Sequence, residues 1–191
     1  MRLIPTAARL FTFATLMVAG ACGRVEQAGK PVREFDEEKR IVHTNEDDQV
    51  MNAAIARARA TAPQLIERLN HTPPGLSYLG VKAGLHGPGG VREHIWLSNV
   101  SYADGKIAGK LTEDARMFPG FNAGDVVRVE PGEISDWMTV ENGRACGGFT
   151  SRIVLAEVTS EVRAAYMAEM GIPRLPPGDA VCDDGRAGTP G

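Results

Sequence analysis

The stretch Arg92–Leu111, REHIWLSNVSYADGKIAGKL, decides the fold class. Two runs of β-branched, aromatic and Leu residues flank Asp104-Gly105, a dipeptide that reaches positive φ at low cost and closes two-residue hairpins. The same grammar continues on both sides. Strands are expected at Leu76–Ala83, Arg92–Val100, Lys106–Leu111, Asp125–Glu130, Glu133–Val140 and Gly148–Val158. Between them lie the turn sequences His86-Gly87-Pro88-Gly89-Gly90, Asp104-Gly105 and Glu141-Asn142-Gly143. Sequential hairpins make an antiparallel meander, and the missing βαβ spacing disfavours a parallel doubly wound sheet.

Upstream of the strands the period changes. Val50, Met51, Ala54, Ile55 and Ala58 recur at spacings of three and four, one apolar helix face, with Asp47 and Asp48 at its start where the helix dipole favours negative charge. Thr61-Ala62-Pro63-Gln64 reads as a capping box opening a second helix to about Leu69, which Pro73-Pro74-Gly75 closes off. Downstream, Thr159–Met170 reads as a helix with Val162, Tyr166, Met167 and Met170 on one face, stopped by Gly171 and Pro173. The expected fold is α+β. N-terminal helices pack on a strongly bent, mainly antiparallel sheet or half-open barrel of about six strands, with one C-terminal helix. This domain spans residues 46–172, and the Pro/Gly-rich tail 173–191 is expected to be irregular.

The N-terminus reads as an address. Arg2 and Arg9 precede a short apolar run, and Ala19-Gly20-Ala21 leads into Cys22. The run is too short for a spanning helix, which needs about 20 apolar residues. Residues 1–21 are therefore expected to be a signal peptide, with Cys22 the acylated first residue of an envelope lipoprotein facing the periplasm, outer membrane favoured. Ordinary signal cleavage, giving a soluble periplasmic chain, is the alternative. Cysteine parity supports acylation: there are three, Cys22, Cys146 and Cys182, and lipid on Cys22 leaves an even pair in an oxidising compartment. A Cys146–Cys182 disulfide would pin the tail to the sheet. Residues 22–45 are polar and charge-rich, the composition of a flexible tether.

Composition sets further bounds. Hydrophobic content of 43% and charged content of 24% describe one ordinary globular domain. The formal charge of -3 becomes -5 once Arg2 and Arg9 leave with the signal, which argues against nucleic acid as a partner.

Several ordered motifs then carry a resemblance: Glu93-His94-Ile95-Trp96-Leu97, Gly109-Lys110-Leu111, Gly124-Asp125, Ile134-Ser135-Asp136-Trp137-Met138, and Gly147-Gly148-Phe149-Thr150 with Arg152. From about Asn52 to Ile172 the chain resembles the YegJ-like bacterial domain of unknown function (domain of unknown function 2314). Thr112-Glu113-Asp114-Ala115 departs from the family's usual Asn and Pro after the Gly-x-Leu step, so the loop to Asp125 is expected to differ. The resemblance implies a domain boundary and no settled activity.

Candidate chemistry sits in the two tryptophan segments. Strand alternation places His94 and Trp96 on one face, with Glu93, Ile95 and Leu97 on the other. It puts Asp136 on a face with Ile134 and Met138, and Trp137 opposite. His94 and Asp136 are the candidate catalytic pair, since His titrates near neutral pH and a carboxylate can orient it. The competing reading is structural: an Asp136 bonded to backbone or an indole, and a His94 satisfied at the sheet edge. Trp96 and Trp137 are candidate ligand platforms, with core packing as the rival role. Glu93 points away from His94. No His-x-x-x-His or His-x-His spacing seeds a metal site, no phosphate-loop or nucleophile-elbow motif occurs, and no cofactor is expected. His43 and His71 fall in linker and turn segments. The sequence thus points to a non-enzymatic envelope binding module for a protein or cell-wall partner. A small envelope hydrolase using His94 and Asp136, and an immunity- or stress-type factor, are the alternatives.

Overall fold

The computed structural model describes residues 33–36, 41–44, 47–90 and 92–183. The expected signal peptide and Cys22 lie outside the described residues. Inside the expected tether, β1 (Arg33–Asp36) and β2 (Ile41–Thr44) pair antiparallel as a hairpin, with Phe35 opposite Val42.

The main sheet contains β3 (Leu76–His86), β4 (Arg92–Ala103), β5 (Lys106–Leu111), β6 (Val126–Val129), β7 (Ile134–Glu141) and β8 (Arg144–Gly147). Their order is β6-β5-β4-β3-β7-β8, every pair antiparallel. Two hairpins close as the dipeptides require: Asp104-Gly105 at φ 52° and 76°, and Asn142-Gly143 at φ 52° and 74°. The strands are not a simple meander, because β7 returns to pair with β3 across the sheet from β6. In a flat sheet those four steps would separate β6 from β7 by about 19 Å. The four-residue connection 130–133 reaches at most about 17 Å when fully extended. The sheet must therefore curl, and it does so without closing into a barrel.

Paired residues share a face. Val81, Ala83, Leu85, Ile95, Leu97, Ile107, Leu111, Val129 and Trp137 form the main core. Against it pack α1 (Gln49–Ala60) and α2 (Ala62–Asn70) through Ala58, Ala62 and Leu65, with Phe118 from the β5–β6 loop. Asp48 caps α1 by accepting from Val50 N and Met51 N. Val50, expected on the apolar face, is 55% exposed. Thr61 does not close the expected capping box. Its hydroxyl lies against the Arg57 and Ala58 carbonyls and accepts the Trp137 indole N–H at 3.0 Å, so the core takes the side chain from the cap.

The expected strand Gly148–Val158 is instead a helix, α3 (Phe149–Glu157). Thr150, Ile153, Val154 and Val158 read as strand by local preference. Gly147 and Gly148 overrule it with φ of 79° and 71°, turning the chain out of β8. A Cβ on Gly147 would collide with the Trp137 carbonyl oxygen, so this corner requires glycine. The last helix, α4 (Ser160–Glu169), has Thr159 as its N-cap. After it, Met167, Met170, Ile172 and Leu175 cover Tyr78, Val140 and Ala145 on the second sheet face.

The segment after Ile172 is irregular but tied. Cys146 and Cys182 form a disulfide across an antiparallel bridge, with Cα atoms 3.9 Å apart and Gly147 N–Val181 O and Asp183 N–Ala145 O bonds flanking it. Arg174 adds a pair of bonds to Asp183 Oδ1 at 2.9 and 2.7 Å. Arg68 donates to both sulfurs at 3.5 Å while bonding Glu141 at 2.6 Å.

Candidate functional site

Asp136 and His94, the candidate catalytic pair, do different things. A bulge where β3 and β7 shift register sets Ile134 opposite core Ala83 and Asp136 opposite Lys82. Ile134 and Asp136 therefore leave the common face that strict alternation assigns them. Asp136 is fully buried and accepts five bonds. Oδ1 takes Trp137 N at 2.8 Å and Phe149 N at 2.9 Å; Oδ2 takes Thr150 N at 2.9 Å, Thr150 Oγ1 at 2.7 Å and Ser151 N at 3.2 Å. The first three backbone donors of α3 thus end on one carboxylate supplied from β7. Negative charge at a helix N-terminus adds a favourable dipole interaction. Both oxygens are committed to the helix start, and no hydrogen bond joins Asp136 to His94 among the described residues. The Asp-Trp-Met and Gly-Gly-Phe-Thr motifs are the two halves of this joint. Arg152 closes it, donating to Gly147 O at 2.6 Å with its guanidinium 4.8 Å from the Phe149 ring centroid.

Trp137 is fully buried on the other face. It meets Phe149 edge-on at 6.0 Å and has the Arg68 guanidinium 5.7 Å from its ring. Trp137 thus packs as a core residue, the rival to its candidate role as a ligand platform. Glu93 is also structural: its carboxylate accepts Arg116 N and Met117 N at 2.9–3.0 Å and holds the β5–β6 loop.

His94 and Trp96 stand on the opposite side of β4 from Glu93, as alternation requires, beside register partners Gly84 and Lys82. The imidazole lies over Gly84, whose missing Cβ would sit 3.2 Å from His94 Cε1. His94 Nδ1 is buried without a hydrogen-bond partner. Burial, reinforced by Lys82, Arg92, Arg59 and His86, lowers the His94 pKa to about 4, so the ring is neutral at physiological pH. The Lys82 ammonium lies 5.4 Å from the Trp96 ring centroid, and burial lowers its pKa despite Asp136 and Glu113.

The register continues this face across the sheet: Trp96 and Ser98 on β4, Lys106, Ala108 and Lys110 on β5, Val126 and Arg128 on β6. Lys106, Lys110, Val126 and Arg128 are exposed, whereas Trp96, Lys82 and Ser98 are half-buried. With Arg92 and Lys82 the face carries five Lys and Arg side chains, and among its described strand residues Asp136 is the single carboxylate. On β3 to β6 an acidic chain has gathered its strand cations on one side. Sequence reasoning missed this pattern, although Lys106 and Lys110 at even spacing in β5 carry its signal. Among the described residues no group of three or more His, Cys, Asp or Glu could hold a metal, and no helix is long and apolar enough to cross a membrane.

An uncharacterised protein of Escherichia coli K12, YegJ, is 30% identical over 122 residues, 62% of this chain and 78% of that protein. A putative ankyrin repeat protein of Neisseria meningitidis serogroup B is 29% identical over 145 residues, 72% of this chain and 57% of that protein. No solved structure matches. Residues 48–173 match the family described as uncharacterised proteins conserved in bacteria, and the chain belongs to that family, DUF2314.

Proposed function

We propose that this protein is a non-enzymatic envelope lipoprotein, anchored through Cys22, whose exposed sheet face on β4 to β6 docks a protein or cell-wall partner. The carrying observation is the segregated face: five Lys and Arg side chains and a half-buried indole on strands β3 to β6, set against Asp136 locked into the fold. An exposed row of Lys and Arg around an aromatic side chain suits an anionic partner surface, by steering and by cation and stacking contacts. The N-terminal address supports the compartment, and the disulfide suits an oxidising one. The hydrolase alternative loses its support, because the carboxylate it needs already accepts five protein donors.

Photo-crosslinking in cells tests this reading. A benzophenone side chain at Lys110 or Arg128 is expected to capture a discrete partner that the same probe at Glu157, on α3, does not. Equal capture from all three positions would remove the docking face. Cys22→Ala is expected to move the protein out of the membrane fraction, and unchanged fractionation would remove the anchor.

A further inference from the structure

We propose that the cleft between the end of α1, the β3–β4 hairpin and the β6–β7 turn is a binding site for a phosphomonoester group. This cleft has a volume of about 210 Å³ and is lined by Arg59, Gly84, His86, Arg92, Gly132 and Glu133. Its geometry follows from register. His86 and Arg92 are directly paired, so both project from the same end of the sheet face, and Gly84 lies one pair inward on that face. Arg59 arrives from α1 with Nε fixed to the Ile134 carbonyl at 2.9 Å, which orients the guanidinium and leaves its Nη groups as donors. Neither Arg59 nor Arg92 has a carboxylate partner among the described residues. Glu133, the one carboxylate of the lining, already accepts Glu130 N at 2.7 Å within its own turn.

The glycine is part of the site. A Cβ at Gly84 would sit 3.2 Å from His94 Cε1 and 3.3 Å from Arg92 Cδ, so only glycine leaves both side chains where they are and the floor open. Two guanidiniums, Arg59 and Arg92, against one carboxylate, Glu133, leave the lining net positive. Guanidinium forks bind oxyanions in a bidentate way, and two of them with an imidazole match a dianion better than a carboxylate, which one fork satisfies. A sugar phosphate and a lipid phosphate headgroup present the same group. The cleft opens at the edge of the proposed docking face, so the inference rests on that reading for its location. Its test uses small anions, and its failure would leave the crosslinking result standing.

The test is NMR titration of the full chain in neutral-detergent micelles with inorganic phosphate, a hexose monophosphate and acetate. Saturable shifts are expected at Gly84, His86, Arg92 and Gly132, with at least tenfold weaker binding of acetate. Arg59→Gln with Arg92→Gln is expected to weaken phosphate binding at least tenfold while amides elsewhere keep their positions. If the double variant misfolds, Arg92→Gln alone carries the test, since that side chain makes no hydrogen bond among the described residues. Acetate binding as tight as phosphate, shifts centred on Lys110 and Arg128, or unweakened binding by folded variants would each overturn the proposal. Flotation with phosphatidic acid vesicles against neutral vesicles then separates the sources. An Arg92-dependent excess of flotation with phosphatidic acid over neutral vesicles assigns a lipid headgroup, and tighter hexose phosphate binding without that excess assigns a soluble phosphate.

Discussion

Asp136 and His94 lie on the same face of the sheet, two strands apart, and are opposite solutions to placing a polar group under cover. Asp136 is saturated: five donors, no solvent, and a helix start built on its oxygens. His94 is under-served, with a buried Nδ1 lacking a partner and cations around it. The first arrangement stabilises the fold and leaves nothing over for a ligand. The second costs stability and persists beside a cationic cleft. Buried polar groups are normally paired, so an unpaired one beside a cavity marks the region where the fold has yielded to another demand.

The contrast can be broken at Asp136. Asp136→Ala strands three helix N–H groups and the Thr150 hydroxyl, and is expected to cost about 3–5 kcal/mol in urea unfolding. Asp136→Asn, which retains one acceptor oxygen, is expected to cost less. A loss under 1 kcal/mol would mean the joint is not what holds α3. The next largest effect belongs to the disulfide. Closing a sequence separation of 36 residues is worth roughly 3–4 kcal/mol by chain entropy, so Cys146→Ser with Cys182→Ser should lower the unfolding midpoint correspondingly.

His94 supplies a pH signature. Its pKa is about 4 in the fold against 6.5 when unfolded, so the unfolded chain binds the proton more readily. The associated stability is complete above pH 6.5 and is lost as pH falls from 6.5 to about 4. After allowance for partial exposure it amounts to about 2 kcal/mol. His94→Leu is expected to flatten that slope and leave stability at pH 7 unchanged or raised. An undiminished slope would assign it to other groups. The smallest effect is at Thr61→Val, which removes the acceptor of the buried Trp137 indole and is expected to cost about 1–2 kcal/mol.

Much of this was legible before any coordinates. Dipeptides at 104–105 and 142–143 fixed two hairpins, helical spacing located α1, α2 and α4, and odd cysteine parity singled out Cys146 and Cys182, which do pair. The misses share a cause. Residues 149–157 prefer strand locally, and the Gly147-Gly148 corner with a carboxylate 13 residues away, delivered by tertiary packing, turns them into helix. The same bulge that delivers it separates Asp136 from Ile134, and no alternation rule contains a bulge. The basic face escaped notice because net charge averages over the chain, whereas register sorts charges by side.

The Cys146–Cys182 crosslink also fixes how the molecule would carry load. With it in place, residues 147–181 form a closed covalent ring containing α3 and α4. Tension applied beyond Cys182 passes through sulfur directly into β8 and bypasses both helices. Extension of the chain under pulling would therefore fall short by the ring's contour length until a reductant opens it.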